Sequence, residues 1–270
     1  MKRNSIMLTF DLEEFDIPLE FGQEVSDSDQ MNISIEGLQR ILPVLEKLKI
    51  RATFFTTGNF ARHNPVLIKE LAQSHEIASH ALYHSPFYQF KISDLAESKS
   101  ILESIIGKEI HGFRMPRLKP FNPNDLTESG YRYDSSINPT YIPGRYNLLH
   151  KNAMPTIENG LIELPCATTP LLRFPLFWLA FKNLPLGLYA ALCRKTLRKR
   201  KNVVLYFHPW EFASIGTYKL PSYIKNTDGE RLTKKLESLL INLMANQTEF
   251  VTCNEFCNSL VSNLEISSQN

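Results

Sequence analysis

Val203-Val204-Leu205-Tyr206-Phe207-His208 decides the fold: five apolar residues rich in β-formers that end abruptly on an imidazole. A continuous apolar run of this length reads as a strand buried on both faces, as in a parallel sheet. The same pattern recurs toward the N-terminus. Ile6 to Phe10 runs into Asp11, Glu76-Ile77-Ala78-Ser79 into His80, His111-Gly112-Phe113 into Arg114, and Tyr131 to Tyr133 into Asp134. Ala52 to Thr56, Leu161 to Leu164 and Phe250 to Thr252 also read as strands. Between them lie helical patterns: Leu38, Ile41, Leu42, Leu45 and Leu48 with Pro43 as a kink, a start at Asn64-Pro65, Ser93 to Ile106, and Leu232 to Leu243. Alternating strands and helices predict one α/β unit with a mostly parallel sheet. Reactive side chains at the ends of several strands favour a closed (β/α) barrel over an open sheet, because a barrel gathers all those ends on one rim.

The bulk properties narrow the field further. The 270 residues are 43% hydrophobic and 21% charged, ordinary for a globular chain. A net charge of +2 gives no basic footprint for nucleic acid. Cys166, Cys193, Cys253 and Cys257 form no CxxC pair and read as buried, reduced thiols. The start, Met1-Lys2-Arg3-Asn4, leads directly into the first strand without a signal-peptide core, and no apolar run of ~18 residues is present. A cytoplasmic location is therefore expected. No Gly/Ser-rich linker divides the chain, so residues 1–270 read as a single domain, with a helical insertion around 170–201.

The chemistry starts from His80-Ala81-Leu82-Tyr83-His84, where four-residue spacing lets one helical turn aim both imidazoles at one ion. A third ligand would come from Asp11-Leu12-Glu13-Glu14, in which Asp11 and Glu13 alternate as on a strand and face one side. Read alone, the histidine pair fits a core edge equally well, the acids fit a solvated turn, His208 fits a satisfied core histidine, and Arg114 a structural ion pair. His63, His75, His111 and His150 read as structural or exposed.

Taken in order, Thr9-Phe10-Asp11, His80-x-x-x-His84, Arg114-x-Pro116 and Leu205-x-x-His208 resemble the motifs of the polysaccharide deacetylase family with the NodB homology domain, carbohydrate esterase family four. The resemblance runs from Ile6 to about Leu260. The Asp-x-Glu-Glu opening, Arg114-Met115-Pro116 and His208-Pro209-Trp210-Glu211 are most similar to a branch found in bacterial exopolysaccharide and lipopolysaccharide clusters. It implies a distorted (β/α) barrel and one divalent metal, most often zinc. By this resemblance Asp11 is the catalytic base, Glu13, His80 and His84 bind the metal, His208 is the general acid, Arg114 orients Asp11, and Asp134 holds the catalytic histidine. Many members carry two adjacent aspartates where this chain has Asp11-Leu12. Branches with Asp-x-Glu take the ligand two positions on, hence Glu13, with Glu14 the remaining alternative.

The implied activity is removal of an N-acetyl group from a sugar of a polysaccharide or lipid-linked glycan. Alternatives are a deformylase or amidohydrolase on another small amide, and a non-catalytic carbohydrate-binding homologue, whose signature would be loss of an acid, base or metal residue. Residues 171–201 combine a long apolar stretch with a basic end. They read either as a helical insertion over the barrel or as a peripheral contact with an anionic membrane.

Overall fold

The computed structural model describes residues 4–244 and 248–268, so Met1-Lys2-Arg3 lies outside it. In chain order the elements are β1 (Asn4–Leu12), α1 (Asp27–Leu48), β2 (Thr53–Thr56), α2 (Gly58–His63), α3 (Pro65–Ser74), β3 (Glu76–Ser79), α4 (Ser93–Ile106) and β4 (Gly112–Phe113). Then follow α5 (Asn124–Glu128), β5 (Tyr133–Asp134), β6 (Tyr141–Ile142), β7 (Tyr146–Asn147), β8 (Thr156–Glu158), β9 (Leu161–Glu163), α6 (Trp178–Asn183) and α7 (Leu186–Arg200). The chain ends in β10 (Asn202–Phe207), α8 (Ser222–Lys225), α9 (Gly229–Leu243), β11 (Thr248–Val251) and α10 (Cys253–Ser268).

One curled sheet runs β10-β1-β2-β3-β4-β5-β9-β8, with β11 also beside β1. Every pairing in it is parallel except the β8–β9 hairpin. The far edge returns to the near one where Ala167 N donates to Val204 O at 2.9 Å. This is the distorted (β/α) barrel that the strand grammar predicts.

β1 is buried on both faces, and its inward residues set the layers of the barrel. Met7 packs with Phe55, Ala78, Tyr133 and Val204, and Cys253, Phe256 and Cys257 of α10 close that floor. Thr9 lies one layer up and Asp11 above it, because inward positions recur every second residue. All four cysteines are free and buried.

The helices pack outside. α1 starts at Asp27, earlier than its apolar stripe suggests, because the Ser26 side chain accepts from Asp29 N at 3.1 Å and caps it. Pro43 is accommodated inside it. At Gly37 no side chain would fit, since a Cβ there would stand 1.7 Å from Pro209 O. The bare glycine lets α1 press against the backbone that follows His208.

Between β9 and β10 the chain makes a hairpin, with Thr168 bridged to Pro175, and then α6 and α7. α7 buries Tyr189, Ala190, Cys193 and Leu197 against the barrel. Among the described residues, no helix is long and apolar enough to cross a membrane.

Candidate active site

The strand ends converge as the barrel topology requires. Glu13 Oε2 stands 3.1 Å from His80 Nε2 and 3.1 Å from His84 Nε2. All three residues are buried, and their ligand atoms lie within 4.8 Å of one another. The His-x-x-x-His pair is not on a helical turn, as its spacing suggests. His80 follows β3 directly, Ala81 adopts a left-handed φ of 54°, and the loop carries His84 back toward Glu13. That loop is pinned by the first turn of α2, where Gly58 N donates to Ala81 O and Asn59 N to Leu82 O, both at 2.9 Å.

The outer nitrogens of both imidazoles are occupied. His80 Nδ1 is 2.7 Å from Arg114 O, and His84 Nδ1 is 3.0 Å from both Asp16 carboxylate oxygens. With Nδ1 engaged, each ring presents Nε2 to the same point, the arrangement that orients metal-binding histidines. Two imidazole nitrogens and one carboxylate oxygen, with space on the pocket side, fit a divalent ion with an open position. The electrostatics favour a cation there. Burial alone would raise the Glu13 carboxyl, but His84, His208 and His80 hold it well below the usual range. Burial likewise opposes charge on His84, yet Asp16 and Glu13 push it up to about 10. Glu14, the other ligand candidate, turns away: Thr57 Oγ1 and Asn59 Nδ2 donate to its carboxylate, the latter at 2.6 Å.

Beside this trio, Arg114 is completely buried and fully engaged. Its Nη1 donates to Asp11 Oδ1 at 2.6 Å and to Thr9 Oγ1 at 2.9 Å, while Nε and Nη2 donate to Ser135 O and Oγ. The guanidinium lies 4.0 Å over the Phe55 ring. Asp11 is thus clamped through one oxygen, and its Oδ2 faces His208 Nε2 at 3.8 Å.

His208 sits where β10 ends, and its anchor is Glu211. One oxygen of Glu211 accepts from His208 N at 2.7 Å and lies 3.0 Å from Nδ1. Asp134, expected to hold this imidazole, does not reach it. Tyr133 of β5 and Ser135 just after it face inward, so Asp134 between them faces outward, where it meets Ser136 Oγ and its register partner Glu163. Burial raises Asp134 to about 6, while burial and the neighbouring Asp134 push Glu163 to about 11.

Sequence reading missed several contributors. Trp210 stacks on His208 with centroids 5.0 Å apart and donates Nε1 to Glu13 Oε1 at 3.0 Å. Asp16 supports His84 and accepts from Arg117 at 2.9 Å. Lys182, from α6, places Nζ 4.0 Å from Glu211 Oε2, with both groups essentially inaccessible to solvent. Neither of those two atoms has a hydrogen-bond partner. The i, i+3 spacing of His208 and Glu211 is a readable capping signal. Lys182 offers none.

The residues open onto a cavity of about 320 Å³. Asp11, Glu13, His80, His84 and His208 line it, with Phe177, Trp178 and Leu179 from the segment before β10 and with Arg117 and Arg145.

A family model described as polysaccharide deacetylase matches residues 1–132, and a domain of unknown function (DUF3473) matches 135–258. The chain belongs to the polysaccharide deacetylase family. The two matches are separated only by Tyr133–Asp134, the residues of β5, and the sheet runs through both. Among curated proteins, it is 33% identical over 86 residues to the uncharacterized protein YlxY of Bacillus subtilis, a match covering 30% of this chain and 27% of that one. A solved structure from Mycobacterium smegmatis named as a polysaccharide deacetylase superposes with a TM-score of 0.69 at 18% identity, covering 97% of this chain and 92% of the other. PuuE allantoinase gives 0.66 at 14% identity, with 94% and 89% covered. At these identities the two structures establish a shared fold.

Proposed function

We propose that this member of the family is a metal-dependent carbohydrate de-N-acetylase, with zinc as the ion and an N-acetylated sugar of a polysaccharide or lipid-linked glycan as substrate. One observation carries the reading: Glu13, His80 and His84 converge on one point while a clamped carboxylate, Asp11, and an anchored imidazole, His208, flank it across a single cavity. When bound by Glu13, His80 and His84, the ion supplies Lewis-acid chemistry, polarising the amide carbonyl and making water a better nucleophile.

The rest is done by side chains. Asp11, oriented by Arg114 through Oδ1, has Oδ2 free to take a proton from the attacking water. The water oxygen bonds to the carbonyl carbon, and the carbon–nitrogen bond then breaks. His208 gives its Nε2 proton to the departing amine, which leaves poorly unless protonated. Glu211 holds Nδ1, so the reactive proton resides on Nε2. Burial opposes a charged His208, but Glu13, Glu211 and Asp11 outweigh it and raise its affinity for the proton. The products are acetate and a free amino sugar.

Acetate release across a panel of N-acetylated oligosaccharides and lipid-linked sugars, paired with metal analysis, tests the proposal. Asp11→Asn and His208→Ala are expected to lose about 10²–10⁴-fold in turnover and to keep their metal. Near-normal turnover in either would remove the assigned roles. A small-amide hydrolase would use the same residues, and the panel separates it by its substrate. A binding-only homologue is disfavoured because no member of the constellation is missing.

A further inference from the structure

Between Glu163 and Glu211 the chain contains no aspartate or glutamate but eight lysines and arginines, against a net charge of +2 for the whole protein. The fold brings seven of these eight to one place, Lys182 alone being buried beside Glu211. The Thr168–Pro175 hairpin rests against the last turn of α7, where Arg200 donates to Thr168 Oγ1 at 3.3 Å and Thr169 O at 3.4 Å. At the hairpin tip Arg173 lies close enough to Arg200 that, after burial, it is the main influence pushing that guanidinium down to about 10. The outward face of α7 adds Arg194, Lys195, Arg198 and Lys199, and Lys201 follows them, all exposed. Of these, Arg194 is held by Asn242, a neutral partner. Among the described residues, no ion pair to this exposed group is formed.

The hairpin tip itself is apolar. Leu171 is 76% exposed and Leu172 88%, with Phe174 partly exposed beside them. A solvated basic helix end accounts for the cations but not for two adjacent leucines held out in water. An apolar tip next to a dense, uncompensated positive charge matches a surface that is anionic outside and hydrocarbon beneath.

We infer that the 168–175 hairpin and the outer face of α7 form a docking surface for an anionic lipid bilayer, with Leu171 and Leu172 entering the headgroup region and the α7 cations pairing with lipid phosphates. This inference does not depend on the proposed catalysis and extends to any substrate.

Co-sedimentation of the full chain with vesicles of phosphatidylcholine alone, and of phosphatidylcholine with phosphatidylglycerol, tests it. Binding is expected only to the anionic vesicles and is expected to fall steeply with salt. Lys195→Gln/Arg198→Gln/Lys199→Gln should weaken partitioning about 100-fold, at roughly a decade or less per charge. Leu171→Ser/Leu172→Ser should weaken it about tenfold or more, by removing the apolar part. All five positions are exposed, so thermal melts should be unchanged. Absence of binding to anionic vesicles at low salt would overturn the inference. So would binding that ignores the leucine pair and is matched by duplex DNA, which would mark a general polyanion surface.

Discussion

Replacing Lys182 by methionine probes how the segment before β10 supports His208. Lys182 Nζ and Glu211 Oε2 are 4.0 Å apart, their side chains 1% and 0% exposed. Removing one partner of a buried pair costs ~3–5 kcal/mol, because the other charge is left uncompensated. The separation exceeds a hydrogen bond and Glu211 keeps its contacts to His208 through Oε1, which places Lys182→Met near the lower end, ~3 kcal/mol. For a domain of this size that is a fall of roughly 6–12 °C in melting temperature. Lys182→Met/Glu211→Gln removes both charges and keeps an acceptor for the His208 N–H groups, so it should recover about half of the loss. Urea unfolding of the wild type, both single variants and the double variant gives the coupling directly. If Lys182→Met is as stable as wild type, or the two single effects simply add, the buried pair does not act as a unit. In an active enzyme Lys182→Met should also lower turnover with little change in KM, since Glu211 touches His208 and not the cavity.

Three further outcomes follow from the geometry. Asp16→Ala frees His84 Nδ1 and should weaken metal affinity about 10–100-fold, read by competition with a chelator. Because the folded pair Asp134–Glu163 retains protons that an unfolded carboxyl has lost above its ordinary range, it favours folding at low pH and loses that contribution as pH rises. Glu163→Gln should therefore stabilise the protein increasingly between about pH 6 and pH 9, measured by urea unfolding at both ends. Gly37→Ala must move α1 or Pro209, so it should reduce turnover and stability together although Gly37 does not line the cavity.

The parallel strands and the helices α1, α3, α4 and α9 were legible because buried parallel strands are continuous apolar runs and α4 and α9 carry clean periodicity, whereas the short, partly exposed strands β6, β7 and β8 carry no such run. The gathering of Asp11, Glu13, His80, His84, Arg114 and His208 was legible for a topological reason: each stands at or just past a strand end, and a barrel brings those ends together. Local conformation was less accessible. Four-residue spacing suggests a helical turn for His80 and His84, but the left-handed Ala81 and the α2 amides impose a loop. Asp134 failed because strand parity, set by where Tyr133 and Ser135 pack, turns it outward. Lys182 was unreadable, since nothing local marks a lysine for burial 29 residues before its partner in sequence.

The ion's place among Glu13, His80 and His84 is tested most directly by binding stoichiometry. Metal-stripped protein titrated with zinc by calorimetry should take up one ion per chain, Glu13→Gln should lose that uptake, and Glu14→Gln should keep it. Equal binding by the Glu13→Gln variant, or no uptake by the wild type, would contradict it.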